Sequence, residues 1–209
     1  MKHVGRPVRN RYVAAVCLCA FGVATLADNR TETSVKKVME ESFGANGQAT
    51  LARLDQDRTQ TLCTRYAAIP IPPKVAAQVT AINLATIRYP ADSQYLGDWR
   101  SGEQIAQTGV GKQFSDDPTK PSGGNCYACH QVTKAEIAYG NLGPSLYNYG
   151  KLRGNSDAIR KYTWGKIYNA DAYGACSSMP RFGHMGILTE SQIKDVMALL
   201  LDPQSPVNQ

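Results

Sequence analysis

The chain has 209 residues, of which 19% are charged and 43% hydrophobic, and its formal charge at pH 7 is +6. Four basic and no acidic side chains lie within residues 1–27, so the remainder carries only +2. Without a basic patch or a binding motif, nucleic-acid binding gets no support. Residues 28–209 suffice for one compact domain with an extension, or for two small domains.

Residues 1–27 have the pattern of an export signal. Four basic residues lie within residues 1–11, an apolar run follows over residues 12–26, and small residues suit a signal peptidase at its end. The run is too short for a stable transmembrane helix. Cys17 and Cys19 follow bulky residues that suit lipoprotein cleavage poorly. We therefore expect a periplasmic protein without stable membrane insertion, with an uncleaved anchor as the alternative.

The segment 28–96 reads as a helical N-terminal extension. A helix is predicted near residues 34–43, where glycines end it, and another from about Ala49 towards Cys63. The proline-rich run at residues 69–73 interrupts regular structure. A third helix is predicted over residues 74–88, where apolar residues recur at helical spacing. No strand-like alternation is visible, so the extension should be helical.

A second region, residues 97–209, also reads as helical. Asp98 can cap an opening helix whose face carries Trp99, Gly102, Ile105 and Ala106. A closing helix is predicted from a capping box at Thr189 to a stop at Asp202, with Met197 in its core-facing stripe. Both regions together predict an all-α protein.

The run Cys126-Tyr127-Ala128-Cys129-His130 is the attachment signature of covalently bound haem c. Two thiols on one helical turn can reach the two vinyl groups of one porphyrin, and the imidazole that follows can bind the iron. A dithiol redox site would need a thioredoxin-like setting, and a zinc site would need further ligands. Neither is visible, so the motif predicts one covalently attached haem c.

The iron needs a second axial ligand, for which the candidates are Met39, Met179, Met185, Met197 and His184. A thioether favours ferrous iron, raises the reduction potential and suits electron transfer. Met179 is the preferred candidate because it lies in a non-helical stretch where Pro180 restrains the backbone. The alternatives are His184, Met185 or an open site.

His130 needs a hydrogen-bond acceptor that fixes its ring orientation. Pro144, within Gly143-Pro144-Ser145-Leu146, offers a carbonyl on a restrained backbone, although it could also be an ordinary turn proline.

Cys63 and Cys176 remain after the haem cysteines are assigned. Leftover cysteines in an oxidising compartment tend to pair, so we predict a disulfide between these residues, which are 113 positions apart. Two buried free thiols, or a Cys176 that reacts with a sulfur compound, are the alternatives.

Residues 97–203 resemble a class I cytochrome c, through the opening helix, Cys-x-x-Cys-His, Gly-Pro-x-Leu, a Met-Pro loop and the closing helix. The resemblance implies that the two helices cross at a small residue, Gly102, and that the Pro144 carbonyl accepts a hydrogen bond from His130. The expected fold is therefore a class I cytochrome c fold with a helical N-terminal extension.

The opening Gly97-Asp98-Trp99 and the loop Met179-Pro180-Arg181-Phe182-Gly183 resemble, more closely, the SoxX family of cytochromes from bacterial thiosulfate oxidation. The resemblance implies a heterodimer with a SoxA-type subunit, in a complex that acts as an L-cysteine S-thiosulfotransferase on a SoxYZ-type carrier. This chain would relay electrons to a downstream acceptor and would not be catalytic alone. A free-standing cytochrome c shuttle, a peroxidase-like haem enzyme and a dithiol oxidoreductase are the alternatives.

Overall fold

The computed structural model describes residues 33–209. Within this range there are seven α-helices: α1 (33–42), α2 (Arg58–Arg65), α3 (Pro73–Leu84), α4 (Trp99–Gln107), α5 (Tyr149–Arg153), α6 (Asp157–Tyr168) and α7 (Glu190–Leu201). Short 3-10 helices span Leu51–Leu54, Cys126–Ala128, Ala170–Ala172 and Pro206–Asn208. The described chain contains no β-strand, which confirms the all-α expectation. The predicted export signal, with Cys17 and Cys19, lies outside the described residues.

Contacts divide the chain into two compact units. The first runs up to Ala45 and includes Thr50–Leu54, and its described part contains α1 and one 3-10 helix. Ion pairs between Lys36 and Glu40 and between Lys37 and Glu41 link successive turns of α1. The second unit comprises Asn46–Ala49 and Asp55–Gln209. The functional site described below lies entirely in the second unit.

The helix predicted from Ala49 towards Cys63 is wrong in its extent, because the structure starts α2 only at Arg58. Asp57 ends the preceding loop with a capping box: its Oδ1 accepts a hydrogen bond from the Gln60 backbone at 2.9 Å, and the Gln60 side chain accepts one from the Asp57 backbone. The third helix begins at Pro73, where a proline is tolerated, and ends at Leu84 rather than near residue 88.

Helices α4 and α7 cross at Gly102. A Cβ atom at this position would collide with the Asp195 carbonyl oxygen and would lie 3.0 Å from the Leu199 Cβ, so the helix axes approach too closely for a larger residue. The Thr189 capping box that was predicted for α7 is present, with both of its hydrogen bonds. The crossing expected from the cytochrome resemblance is therefore found at the expected residue.

The core of the second unit forms between α6 and α7. Met197 is fully buried in it, as predicted, together with Ile193 and Leu201 from α7. Trp164 on α6 is 1% exposed and packs edge to face against Tyr95, with their ring centroids 5.8 Å apart. These contacts pack α6 and α7 against Tyr95, which precedes the haem motif in the sequence.

Residues 55–96 pack into the same unit through buried polar contacts. The Trp164 indole donates a hydrogen bond to the Arg88 carbonyl at 2.8 Å. The Asn83 amide donates to the Thr59 hydroxyl at 2.9 Å, and the Asn169 amide donates to the Asn83 side-chain oxygen at 2.9 Å. Because Trp164, Asn83, Thr59 and Asn169 are all buried, these bonds tie residues 55–96 firmly to the rest of the second unit. A domain boundary at residue 96 stays a prediction.

Candidate functional site

The Cys-x-x-Cys-His run forms one tight turn. Cys126–Ala128 is a 3-10 helix, and the backbone amides of Cys129 and His130 donate to the Cys126 carbonyl at 3.1 and 2.9 Å. The turn is reached through Asn125, whose φ of 47° lies in the left-handed region. The geometry places both thiols and the imidazole on one compact turn of five residues.

Tyr127 anchors this turn to α4. Its side chain is buried, and its hydroxyl donates a hydrogen bond to Glu103 Oε1 at 2.8 Å. The Gly124 backbone amide donates to the Ile105 carbonyl at 2.8 Å, directly before the motif. Tyr127, the first of the two residues between the cysteines, therefore faces the protein interior, while the cysteines line a cavity.

That cavity has a volume of about 500 Å³, within the range of small-molecule and cofactor sites. Its lining contains Cys126, Cys129, His130 and Met179. Much of the wall is apolar and includes Ala106, Val132, Leu146, Phe182, Leu188, Val196, Leu199 and Leu200. Two thiols, an imidazole and a thioether thus share one largely apolar chamber, which suits a flat, mostly apolar metal macrocycle.

The imidazole of His130 is held in one orientation. Its Nδ1 atom lies 2.7 Å from the Pro144 carbonyl oxygen, which can only accept, so Nδ1 carries the proton and Nε2 is left free as a ligand atom. A Cβ atom at Gly143 would collide with the ring, so only glycine fits there. The residues present fit haem c: thiols for the vinyl groups and a preset imidazole for the iron.

Met179 alone among the predicted second ligands lines this cavity. Met197 is buried in the core between α6 and α7, and Met39 lies on α1 in the other unit. His184 and Met185 are exposed residues outside the cavity lining. The structure therefore brings Met179 together with the haem motif, and no other candidate of the second unit lines the cavity.

The loop that carries Met179 is tied to α2. Cys63, on α2, and Cys176, three residues before Met179, form a disulfide with a Cα–Cα distance of 5.5 Å. The predicted pairing is thus present. Cys176 has a φ of 59°, a left-handed conformation that few non-glycine residues adopt. The free cysteines of the described chain are Cys126 and Cys129.

The electrostatics of Cys126 do not resemble those of a dithiol redox site. Burial of the thiol raises its pKa to about 12, and the nearby Glu103 carboxylate acts in the same direction. Reactive cysteines of oxidoreductases instead have lowered pKa values, because the thiolate is the nucleophile. The described residues also contain no cluster of three or more His, Cys, Asp or Glu side chains placed to hold a metal ion.

Sequence reasoning missed two features near the site. Helix α6 contributes Tyr162, Thr163 and Lys166 to the lining, and its start could have been found from Ser156, whose side chain caps it. The ion pairs of Arg181 are the other missed feature: this buried residue of the Met179 loop pairs with Asp57 and Asp171. No local pattern predicts such a pairing.

Comparison with known proteins agrees with this geometry. The family model for cytochrome c matches residues 110–202. The chain is also similar to a protein from Aquifex aeolicus (strain VF5) described as an uncharacterized lipoprotein, with 40% identity over 182 residues that cover 86% of this chain and 84% of the relative. Among the described residues, no helix has the length and apolar character needed to cross a membrane. Residues 110–202 of this chain therefore form a cytochrome c domain.

Proposed function

We propose that this chain is a periplasmic cytochrome with a single haem c, and that it is the electron-transfer subunit of a SoxAX-type complex. The cytochrome c family binds haem c covalently and transfers electrons. We also propose the substrate and the partners of this complex. A SoxA-type subunit couples thiosulfate oxidatively to a cysteine of a SoxYZ-type carrier, and this chain passes the released electrons to a downstream acceptor.

One observation carries the proposal: both haem thiols, His130 and Met179 line a single, largely apolar cavity. When bound there, haem supplies a one-electron redox centre. Cys126 and Cys129 would hold it covalently, and the Pro144 carbonyl would keep the His130 ring in place. The apolar wall excludes water, and a Met179 sulfur ligand would favour the reduced iron.

The SoxX resemblance supports the specific role. Its two distinctive segments are both packed into the second unit: Trp99 packs against the buried cluster around Ala106 and Leu199, and Phe182 belongs to the core between α6 and α7. The bond between Cys63 and Cys176 leaves only the haem cysteines free in the described chain. The absence of a further free cysteine in the described chain favours a subunit that receives electrons while thiol chemistry occurs on a partner.

Periplasmic placement is supported by the N-terminal pattern of residues 1–27 and by the Aquifex relative that is described as a lipoprotein. We propose that haem c is attached to this chain after export, outside the cytoplasm. Mass spectrometry of the native protein would test it: a mature chain that begins near Asp28 is expected, and retention of residues 1–27 would contradict cleavage.

The experiment that tests the function is co-purification from the native periplasm, with a haem stain and a thiosulfate-dependent reduction assay. We expect one covalently bound haem, a stable complex with a SoxA-type subunit, and reduction that requires both that subunit and the SoxYZ-type carrier. Elution as a lone haem protein in size-exclusion chromatography would instead favour a free-standing shuttle. Absence of a near-infrared Met–iron charge-transfer band in the ferric protein would favour a haem enzyme with an open site.

A further inference from the structure

We propose that Arg181 is a positioning residue, which holds the loop of residues 176–182 so that Met179 is presented to the cavity. The inference rests on the proposed role of Met179 as an iron ligand. It concerns the protein residues that keep this ligand in place, and a buried network of charges and hydrogen bonds carries it.

Arg181 lies between two carboxylates that come from different parts of the fold. Its residue exposure is 8%. One Nη atom lies 2.7 Å from Asp57 Oδ2, and Nε lies 3.7 Å from Asp171 Oδ2. Because a buried guanidinium is costly without counter-charges, its position is set by these two partners. The loop backbone at residue 181 is therefore fixed in turn.

The Asp171 side of the network returns to the same loop. Its other carboxylate oxygen, Oδ1, accepts a hydrogen bond from the Ser177 backbone amide at 2.8 Å. The Ser177 hydroxyl oxygen then accepts one from the Met179 amide at 3.2 Å. One aspartate thus contacts the loop two residues before Met179 and, through Arg181, two residues after it. The ligand residue lies in the middle of a closed ring of polar contacts.

The Asp57 side of the network connects the loop to α2. Asp57 Oδ2 binds Arg181 while its Oδ1 caps the helix by accepting from the Gln60 amide. At the other end of α2, Cys63 is bonded to Cys176. The helix therefore contacts the loop at both of its ends, by an ion pair near residue 181 and by a covalent bond at residue 176.

A test compares Arg181→Gln, Arg181→Lys and the control Arg160→Gln as holoproteins, by hydrogen exchange followed with mass spectrometry. Arg160 also pairs with an aspartate, Asp157 at 2.9 Å, but this pair lies within α6, and its two side chains are 33% and 71% exposed. In Arg181→Gln we expect the Ser177 and Met179 amides to exchange at least about tenfold faster, with α7 unchanged. Arg181→Lys should restore part of the protection, and Arg160→Gln should stay within about twofold of wild type.

A second measurement is the rate at which imidazole binds the ferric protein, because entry requires the loop to open. We expect it to rise by at least about tenfold in Arg181→Gln and not in Arg160→Gln. Should both exchange and imidazole binding in Arg181→Gln stay within twofold of wild type, the positioning role is overturned. The same holds if exchange rises equally in α7, because the effect would then be global.

If Arg181→Gln does not fold, Asp57→Asn offers a second variant, which removes one partner of Arg181 and keeps the Asp171 contact. Faster hydrogen exchange confined to the loop supports the proposal, and unchanged exchange overturns it.

Failure of Met179 as the iron ligand has a different signature. A wild-type spectrum without the Met–iron band, unaltered by Met179→Ala, would reject Met179 as ligand. The exchange of the Ser177 amide would still report whether Arg181 holds the loop.

Discussion

The Nδ1 atom of His130 lies 2.7 Å from the carbonyl oxygen of Pro144, so the imidazole donates a hydrogen bond to a backbone position that precedes α5. Two further backbone bonds fix that segment: the Gly143 amide donates to the Cys129 carbonyl at 2.8 Å, and the Leu146 amide donates to the Gln131 carbonyl at 2.7 Å. The haem-binding turn and the Gly-Pro-x-Leu segment are thus held together by three hydrogen bonds.

Gly143→Ala is expected to disturb this arrangement, because the added Cβ would collide with the His130 ring. Overpacking of this kind costs about 1–3 kcal/mol in the free energy of unfolding. The variant should also bind less covalent haem per chain, measured by haem stain against total protein. Gly174→Ala is the matched control, since the nearest atom to its Cβ is the Lys166 Nζ at 3.9 Å. Equal haem content and stability in the two variants would contradict the packing argument.

Met179→Ala should abolish the near-infrared Met–iron band of the ferric protein. Loss of the thioether should also lower the reduction potential, on the order of 0.1 V within the ~0.8 V span that axial ligands cover. Potentiometric titration of the visible spectrum measures this change. Met185→Ala is the control, because Met185 is 50% exposed and lies outside the cavity lining. A band that survives in Met179→Ala would show that another residue is the ligand.

Replacement of both Cys63 and Cys176 by serine should lower the free energy of unfolding by about 4–5 kcal/mol, the chain-entropy value for a loop of this length. Chemical denaturation of the holoprotein gives the difference. In the wild-type protein, alkylation without reduction followed by mass spectrometry should label neither residue. Two alkylated thiols at these positions would show that the bond is absent from the native protein.

Acid should weaken the contact between α2 and the Met179 loop. Partial burial raises the pKa of Asp57, but hydrogen bonds from the Gln60 amide and Arg181, with the charges of Arg181 and His184, lower it below its ordinary value of 3.8. A carboxyl whose pKa is lower in the folded state than in the unfolded state stabilises the fold when the pH is above its unfolded-state pKa. This stabilisation disappears as the pH falls through the folded-state pKa. The contribution is therefore fully present at neutral pH and is lost below about pH 3.8.

The pH effect can be measured by denaturation of wild type and Asp57→Asn between neutral and strongly acidic pH. Because Asp57 is partly exposed and screened by solvent, we expect a difference of about 1 kcal/mol at most at pH 7. The two proteins should converge in acid, where the Asp57 carboxyl is protonated. A constant difference across the whole range would exclude titration of Asp57 as the cause.

Much of the site could be predicted because its chemistry is local. The haem cysteines and His130 are consecutive, and the cap at Thr189 is complete within four residues, so no knowledge of the fold was needed. Helix α2 was misplaced because Leu51–Leu54 form only a short 3-10 helix before it, while the Asp57 capping box decided the actual start.

The contacts of Arg181 could not be predicted for a different reason. Asp57 lies 124 positions away in the sequence, and only the folded chain brings the two together. Helix α6 was also missed, although Trp164 is among its most buried residues, because its buried side includes Thr163 and Gly165, which carry no strong apolar signal. Packing partners, rather than local preference, determine both features.

The attachment of the Met179 loop to α2 has a consequence for truncated forms of this cytochrome. A fragment that began at Gly97 would retain the complete haem-binding turn, Pro144 and Met179, yet it would lack Asp57 and Cys63. Such a minimal cytochrome should still acquire covalent haem while its sulfur ligand exchanges readily with external molecules. The segment before Gly97 carries no haem-binding motif, yet it would keep the haem closed to small ligands and so preserve the protein as an electron carrier.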